Sequence, residues 1–239
     1  MKKIIYSSLI FAVIAIIPVL LLYFGIIWFN NPGESEFPVQ GIDVSNHQGE
    51  IDWKKVKEEN IQFAYIKATE GGDFTDKRFQ YNWKEAGENG ITVGAYHYFT
   101  LCRSGKDQAE HFISVVPVNI PSLPPAIDLE FTGNCSGRPD SYDFNQELNI
   151  FFHLVQDHYK RKPVIYTTYE FYDMYDISKY TELLWIRDIF SYPDSDFTWI
   201  FWQYSNRERI NGILGYVDGN VFQGTEAEFR NFVNLKSLP

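Results

Sequence analysis

Pro124-Pro125-Ala126-Ile127-Asp128-Leu129-Glu130-Phe131 reads as a short buried strand. Its residues are apolar, and two prolines stop any preceding helix. Two acids in so apolar a strand need a reason. Side chains two apart on a strand share a face, so Asp128 and Glu130 point the same way, roughly 6–7 Å apart at the backbone. Their carboxyls can come to about 5 Å, the range in which two carboxylates flank a glycosidic bond. Crowding two acids also raises the pKa of one of them and keeps a proton available near neutral pH. The plainer alternative is a pair at a strand end, solvated or matched by Lys or Arg.

Strands and helices alternate on either side of this stretch. Gln40–Ser45 is a strand ending in an acid. A helix follows from Ile51-Asp52-Trp53 to about Glu59, with Asp52 as N-cap. Phe63–Lys67 and Ile91–Phe99 are strands, separated by a helix over Asp76–Glu88 that stops at Asn89-Gly90. Ser104 caps a helix to about Val116. The Asp128/Glu130 strand is followed by a long helix over Asp143–Lys160, then a strand at Pro163–Thr167 and a short helix at Tyr169–Tyr175. Leu183–Ile186, Trp199–Tyr204 and Gly215–Asp218 are three more strands with little room for helices between them, and Thr225–Val233 closes with a helix. Eight strands with interleaved helices imply an irregular TIM-like barrel of mostly parallel strands, with about five βα units and a β-rich end. Chemistry in such barrels sits at the strand C-terminal ends. Asp43, Asp128, Glu130 and Asp218 all fall there, as do Tyr98, Tyr166, Trp185, Trp202 and Gln203.

The chain has 239 residues, enough for one large domain, and no repeat or Gly/Ser linker marks a second. Residues 4–29 contain no charge and follow Lys2-Lys3. As a helix they would span roughly 39 Å, enough to cross a bilayer with some tilt. The positive-inside rule then gives a cytoplasmic tail at 1–3, a signal anchor at 4–29, a tether at 30–39 and an exported domain at 40–239. The alternative is a cleaved signal peptide, against which the apolar run is long and no small-x-small site closes it. The exported part holds 19 basic against 31 acidic residues, a charge of −12. That excludes nucleic acid as a partner and gives no docking on anionic lipid. Only Cys102 and Cys135 occur. Outside the cytoplasm an even count points to a disulfide, here between two rim loops. Asn134-Cys135-Ser136 also matches a glycosylation sequon.

Gly41-Ile-Asp-Val-Ser45, Tyr65-Ile-Lys-Ala-Thr-Glu-Gly71, Gly94-Ala-Tyr-His-Tyr-Phe99, Ile127-Asp-Leu-Glu130, Trp202-Gln-Tyr-Ser205 and Val217-Asp-Gly-Asn220 stand in this order. From about Gln40 to the C-terminus the chain resembles glycoside hydrolase family 25, the Chalaropsis-type lysozymes. The resemblance implies a flattened (β/α)5(β)3 barrel. It also implies cofactor-free hydrolysis of the β-1,4 bond between N-acetylmuramic acid and N-acetylglucosamine in peptidoglycan. A monomer is expected. Matched position by position, Glu130 is the general acid. Asp128 is the partner that acts as nucleophile or orients the acetamido group, and Asp43 and Asp218 are the other two acids. Tyr96, Tyr98, Tyr166, Trp185, Trp202 and Gln203 are candidate sugar contacts; Tyr96 and Trp185 read equally well as barrel core.

Two rival readings differ in class. A metal hydrolase would use His47, His97, Asp43, Asp128 and Asp218 as ligands. Against it, His97 alternates with Tyr96 and Tyr98 and so faces away from them, and no H-x-H or H-E-x-x-H spacing occurs, so no metal is expected. A non-enzymatic glycan-binding domain would keep the fold and lose the chemistry.

Overall fold

A computed structural model describes residues 2–23, 27–118 and 122–234. Helix α1 (Lys2–Tyr23) comes first, with Pro18 inside it. Then follow β1 (Gln40–Val44), α2 (Trp53–Glu58), β2 (Ile61–Glu70), β3 (Phe74–Thr75), α3 (Phe79–Glu88), β4 (Thr92–Tyr98), α4 (Gly105–Val115), β5 (Ala126–Leu129) and α5 (Ser141–Tyr159). The chain continues through β6 (Val164–Thr167), α6 (Tyr169–Tyr175), β7 (Leu184–Arg187), β8 (Phe201–Glu208), β9 (Val217–Phe222) and α7 (Glu226–Asn234).

Eight strands close into a barrel in the order β1-β2-β4-β5-β6-β7-β8-β9, with β9 returning to β1. Pairings from β1 through to β8 are parallel, while β9 is antiparallel to both neighbours. A helix follows each of β1, β2, β4, β5 and β6, and none separates the last three strands. The expected five βα units and β-rich end are therefore present. The tiny β3 is an addition: it folds back on the end of β2, pairing Glu70 with Phe74.

Strand alternation divides the apolar residues into two layers. Outward residues such as Ile127, Leu129, Ile165 and Ile186 pack beneath the helices. Inward residues such as Phe63, Tyr65, Ala126, Val164 and Trp185 fill the barrel floor, which α7 closes with Phe229 and Val233. Tyr65 stacks on Trp185 at 4.8 Å between ring centres. The helix starts carry the expected caps: Asp52 accepts from Lys55 N and Ser104 from Asp107 N. At Gly105 the first turn of α4 lies directly on the Glu147 carbonyl of α5, so any side chain there would force the helices apart.

The helix expected over 4–29 ends at Tyr23, and residues 24–26 lie outside the described ones. Among the described residues no helix is long and apolar enough to cross a membrane. From Ile27 the chain is irregular and lies against the barrel. The Asn30 amide donates to the carbonyls of Asp188, Ser191 and Tyr204, and Phe29 meets Phe190 edge-on. The segment expected as a tether is packed as well. Phe37 and Val39 are buried, Phe37 among Tyr192, Trp199 and Trp202. Two large apolar side chains in a ten-residue linker gain more against the barrel than in water.

Cys102 and Cys135 form the expected disulfide, with Cα atoms 6.1 Å apart, joining the loops after β4 and β5. Between the same loops the Asn134 side chain is fully engaged. Its amide donates to the Phe99 and Glu130 carbonyls and its oxygen accepts from Leu101 N. The sequon asparagine is thus a structural tie rather than an open glycan acceptor. The bridge spans 33 residues, so its loss releases about 3–4 kcal/mol of chain entropy to the unfolded state. Cys102→Ser/Cys135→Ser should lower the free energy of unfolding by that amount in chemical denaturation. An unchanged midpoint would show that Asn134 alone holds the loops.

Candidate active site

The mouth of the barrel holds a cleft with two adjoining lobes of about 270 and 220 Å³. Asp43, Tyr96, Asp128, Glu130 and Asp218 line both lobes, so the carboxyls stand where the lobes meet. Thr132, Tyr166, Trp185, Arg187, Gln203 and Asn206 complete the first lobe. The second is completed by Ser45, His47, Gln48, Lys67 and Tyr98, with Val44 behind them.

Each acid owes its position to local structure. Asp43 is the last inward residue of β1. The turn after it is fixed by Ser45, which caps Asn46–Gln48 in a reciprocal capping box. Asp128 is inward on β5. Glu130 lies one residue past that strand, and the Asn134 amide holds its carbonyl at 3.0 Å. Asp218 reaches the same rim by a different route from the one the sequence suggests. It stands near the start of β9, not at a strand C-terminal end. Because β9 runs antiparallel, its start lies at the rim where the other strands finish, and Asp218 pairs in register with Asp43.

Burial governs the charges. It raises Asp43 from 3.8 to about 6, against hydrogen bonds from Asn220 Nδ2 at 2.8 Å and Gln203 Nε2 at 2.9 Å. Burial holds Asp218 well above the carboxylate range, and the charge of Asp43 adds to it. The two carboxyls interact with each other, and the contact lowers Asp43 while it raises Asp218. Asp128 is also pushed well above the usual range, first by burial and then by the charge of Glu130, and its Oδ1 is buried without a hydrogen-bond partner. Glu130 is raised too. Crowding with Asp128 is the cause expected from the sequence, but burial is the largest cause, Asp43 is a smaller one, and Arg187 and Lys67 oppose the rise. The site thus stores carboxyl protons by keeping water out as much as by crowding charge.

Asp43 makes this visible in stability. A carboxyl with a raised folded pKa binds its proton more tightly in the fold, so stability is fully present below about pH 4 and falls as pH rises toward about 6. The gap from 3.8 to about 6 corresponds to roughly 3 kcal/mol. Denaturation of wild type and Asp43→Asn at pH 4 and pH 7 should differ in pH dependence by that amount, whatever the substitution does to absolute stability. Parallel pH profiles would remove Asp43 from this account.

Of the expected sugar contacts, Tyr96, Tyr98, Tyr166, Trp185 and Gln203 line the cleft. Tyr166 donates to Gln203 Oε1 at 3.0 Å while Gln203 donates to Asp43, so Gln203 orients an acid. Trp185 is held by Asn220 Oδ1 at 2.7 Å. Tyr98 donates to the Thr132 carbonyl at 2.8 Å and steadies the loop that carries Glu130. Trp202 is a correction. Adjacent strand residues face opposite ways, so with Gln203 inward Trp202 points out. It donates to the Asp188 carbonyl and packs among Phe37, Tyr192 and Trp199. His97 is outward as read. It is buried between Thr69 and Gln108, stacked on Phe151, and held neutral by burial with its pKa near 3. Among the described residues no three His, Cys, Asp or Glu side chains are grouped to hold a metal ion.

Sequence reasoning missed Asn220, Asn206, Lys67 and Arg187. Asn220 had a signal, since it lies two residues from Asp218 on one strand face. Asn206 had none, because the β8 register slips on both sides of Ser205 and such a bulge re-aims side chains.

The profile of "Glycosyl hydrolases family 25" matches residues 42–213. A family 25 glycosyl hydrolase structure from Bacillus anthracis superposes with a TM-score of 0.80 at 40% identity, covering 86% of this chain and 97% of the other. A bacterial lysozyme from Streptomyces coelicolor gives 0.75 at 35% identity, covering 82% and 97%. Lysozyme M1 of Streptomyces globisporus is 35% identical over 82% of this chain and 71% of its own length.

Proposed function

The chain belongs to the glycosyl hydrolases of family 25, and from that premise we propose that it is a muramidase. It cleaves the β-1,4 bond between N-acetylmuramic acid and N-acetylglucosamine in peptidoglycan strands. Relatives described as lysozymes, an autolytic lysozyme and an N,O-diacetylmuramidase support this substrate. The observation that carries the reading is the meeting of four proton-retaining carboxyls at the junction of two lobes, with room for a sugar on either side of them. A non-enzymatic glycan binder has no use for that cost in stability.

Glu130 is the general acid that protonates the leaving oxygen. Asp128 faces the anomeric carbon, directly or through the acetamido group, and offsets the charge of the oxocarbenium-like transition state. Asp43 and Asp218 interact behind them and, with Gln203 and Asn220, keep the floor of the cleft rigid. Tyr96, Tyr98, Tyr166 and Trp185 supply faces and hydroxyls for the sugar rings. The full-length chain, incubated with purified peptidoglycan and then borohydride, should yield reduced muramic acid at the new ends. Reduced glucosamine, or no new ends, would sink the reading.

The enzyme works at a membrane surface as a monomer, its N-terminus cytoplasmic and the barrel outside. Support comes from the charge-free run 4–29 behind Lys2-Lys3 and from α1, whose Phe11, Ile14 and Val19 are exposed. Fractionation should place the full chain in the membrane, with residues from Glu34 onward open to protease only from outside. A shorter, freely soluble mature form would contradict the anchor.

A further inference from the structure

The N-terminal segment meets the barrel at the catalytic rim. β7 and β8 run parallel and finish there, and β9 starts there. Arg207, next to last in β8, donates to the Tyr23 carbonyl at the end of α1 at 2.7 Å. The Tyr216 hydroxyl, one residue before β9, donates to the same oxygen at 3.5 Å. Trp28 lies under the Arg207 guanidinium at 5.5 Å, and its ring meets Phe29 and Phe190. Asn30 is tied to the Asp188 and Ser191 carbonyls in the loop after β7. Residues 27–30 are therefore a stem built onto the rim rather than a slack linker. The cleft is next to it: Arg187 precedes Asp188, Asn206 precedes Arg207, and both line the first lobe.

The surface around the stem is apolar and open. Ile27, Phe29 and Phe190 are 44%, 55% and 63% exposed, and Leu214, in the loop between β8 and β9, is 90% exposed. Leaving such side chains in water forfeits the gain of burying them. Rings beside guanidinium groups have the composition of a membrane–water interface. A domain of charge −12 draws no anionic lipid, and this patch needs none, since rings and an aliphatic tip make the contact. Continuity sets the occupant. The patch begins where the charge-free run 4–29 ends, so a bilayer holding that run is the apolar phase within reach.

We propose that Phe29, Phe190 and Leu214 seat the barrel on its own membrane, with the β7–β9 side of the rim against the lipid. The cleft then cuts glycan lying along the membrane rather than wall at a distance. The inference rests on the anchored muramidase reading and deepens it, because it names the part of the polymer that the site meets. The first lobe, on β6, β7 and β8, is the lipid side, and the second, on β1, β2 and β4, faces away. A strand crossing the carboxyls therefore has one end directed at the membrane.

The full-length chain in phosphatidylcholine vesicles that carry a nitroxide-labelled lipid tests this. Cys102 and Cys135 are bonded to each other, so Phe190→Cys, Leu214→Cys and Phe74→Cys each add one thiol for a fluorophore. Phe74 is exposed just beyond β2, across the mouth from β7. The lipid nitroxide should quench the labels at 190 and 214 and spare the one at 74. Quenching at none of the three, or equally at all, would show a barrel that swings on its anchor and would overturn the proposal. Activity gives a second reading. Phe190→Ser/Leu214→Ser should slow cleavage of lipid-linked glycan in the same vesicles by about 10-fold, and that of detached soluble glycan by less than about 2-fold. Equal effects on the two glycans would overturn the proposal even with the labels quenched. Failure of the parent readings looks different: the unsubstituted chain would not float with the vesicles, or would give no muramic acid ends on peptidoglycan.

Discussion

Glu130→Gln should lower kcat on peptidoglycan by about 10²–10⁴-fold, with the affinity for glycan little changed. Glutamine keeps the shape and the half-buried position and cannot release a proton to the leaving oxygen. The loss falls on kcat because the proton moves only in the transition state. The pH profile gives an independent check. A general acid must be protonated, so its ionisation sets the alkaline limb of the activity profile. Burial raises Glu130, and Arg187 and Lys67 restrain it, so that limb stands above the ordinary glutamate range. Residual activity of Glu130→Gln should lack the limb altogether. A substrate whose leaving group departs without protonation should recover much of the lost rate. Near wild-type turnover, or an alkaline limb that survives the substitution, would move the acid role to another carboxyl.

How far the sequence could lead depended on which signal carried each residue. The fold was legible because period-two strands alternate with capped helices through β6, and because the helices then stop. Asp128 and Glu130 were legible as polar intrusions in an apolar strand. Strand direction was not legible: Gly215–Asp218 reads as one more strand ending in an acid, and nothing local says that β9 is antiparallel. Asp218 arrives at the correct rim because the misplaced strand limit and the reversed direction compensate. Trp202 shows the cost of reading an aromatic near a rim as a sugar platform. The alternation that places Gln203 inside excludes its neighbour. Asn134 and Asn206 were hidden for a common reason: a loop and a bulge place them, where no periodicity fixes a direction. Arg187 follows the alternation from Trp185 but lies one residue past the strand limit read at Ile186.

Asp128→Asn should be as damaging, about 10²–10³-fold in kcat or more, for the opposite electrostatic reason. Glu130 must hold a proton at the moment of reaction and Asp128 must not. Burial alone favours the reverse, since Asp128 is the deeper group and is pushed well above the carboxylate range. The two carboxyls therefore titrate as a pair, and the substrate decides where the shared proton sits. Positive charge growing at the anomeric carbon lowers the cost of an ionised Asp128 and leaves the proton on Glu130. Asparagine abolishes this exchange. It cannot carry the charge, so the acid limb of the profile, which reports ionisation of Asp128, should vanish while the alkaline limb of Glu130 remains. An activated leaving group should not rescue it, because the missing charge is needed in the oxocarbenium-like state however the leaving group departs. Rescue of Asp128→Asn together with no rescue of Glu130→Gln would exchange the two roles.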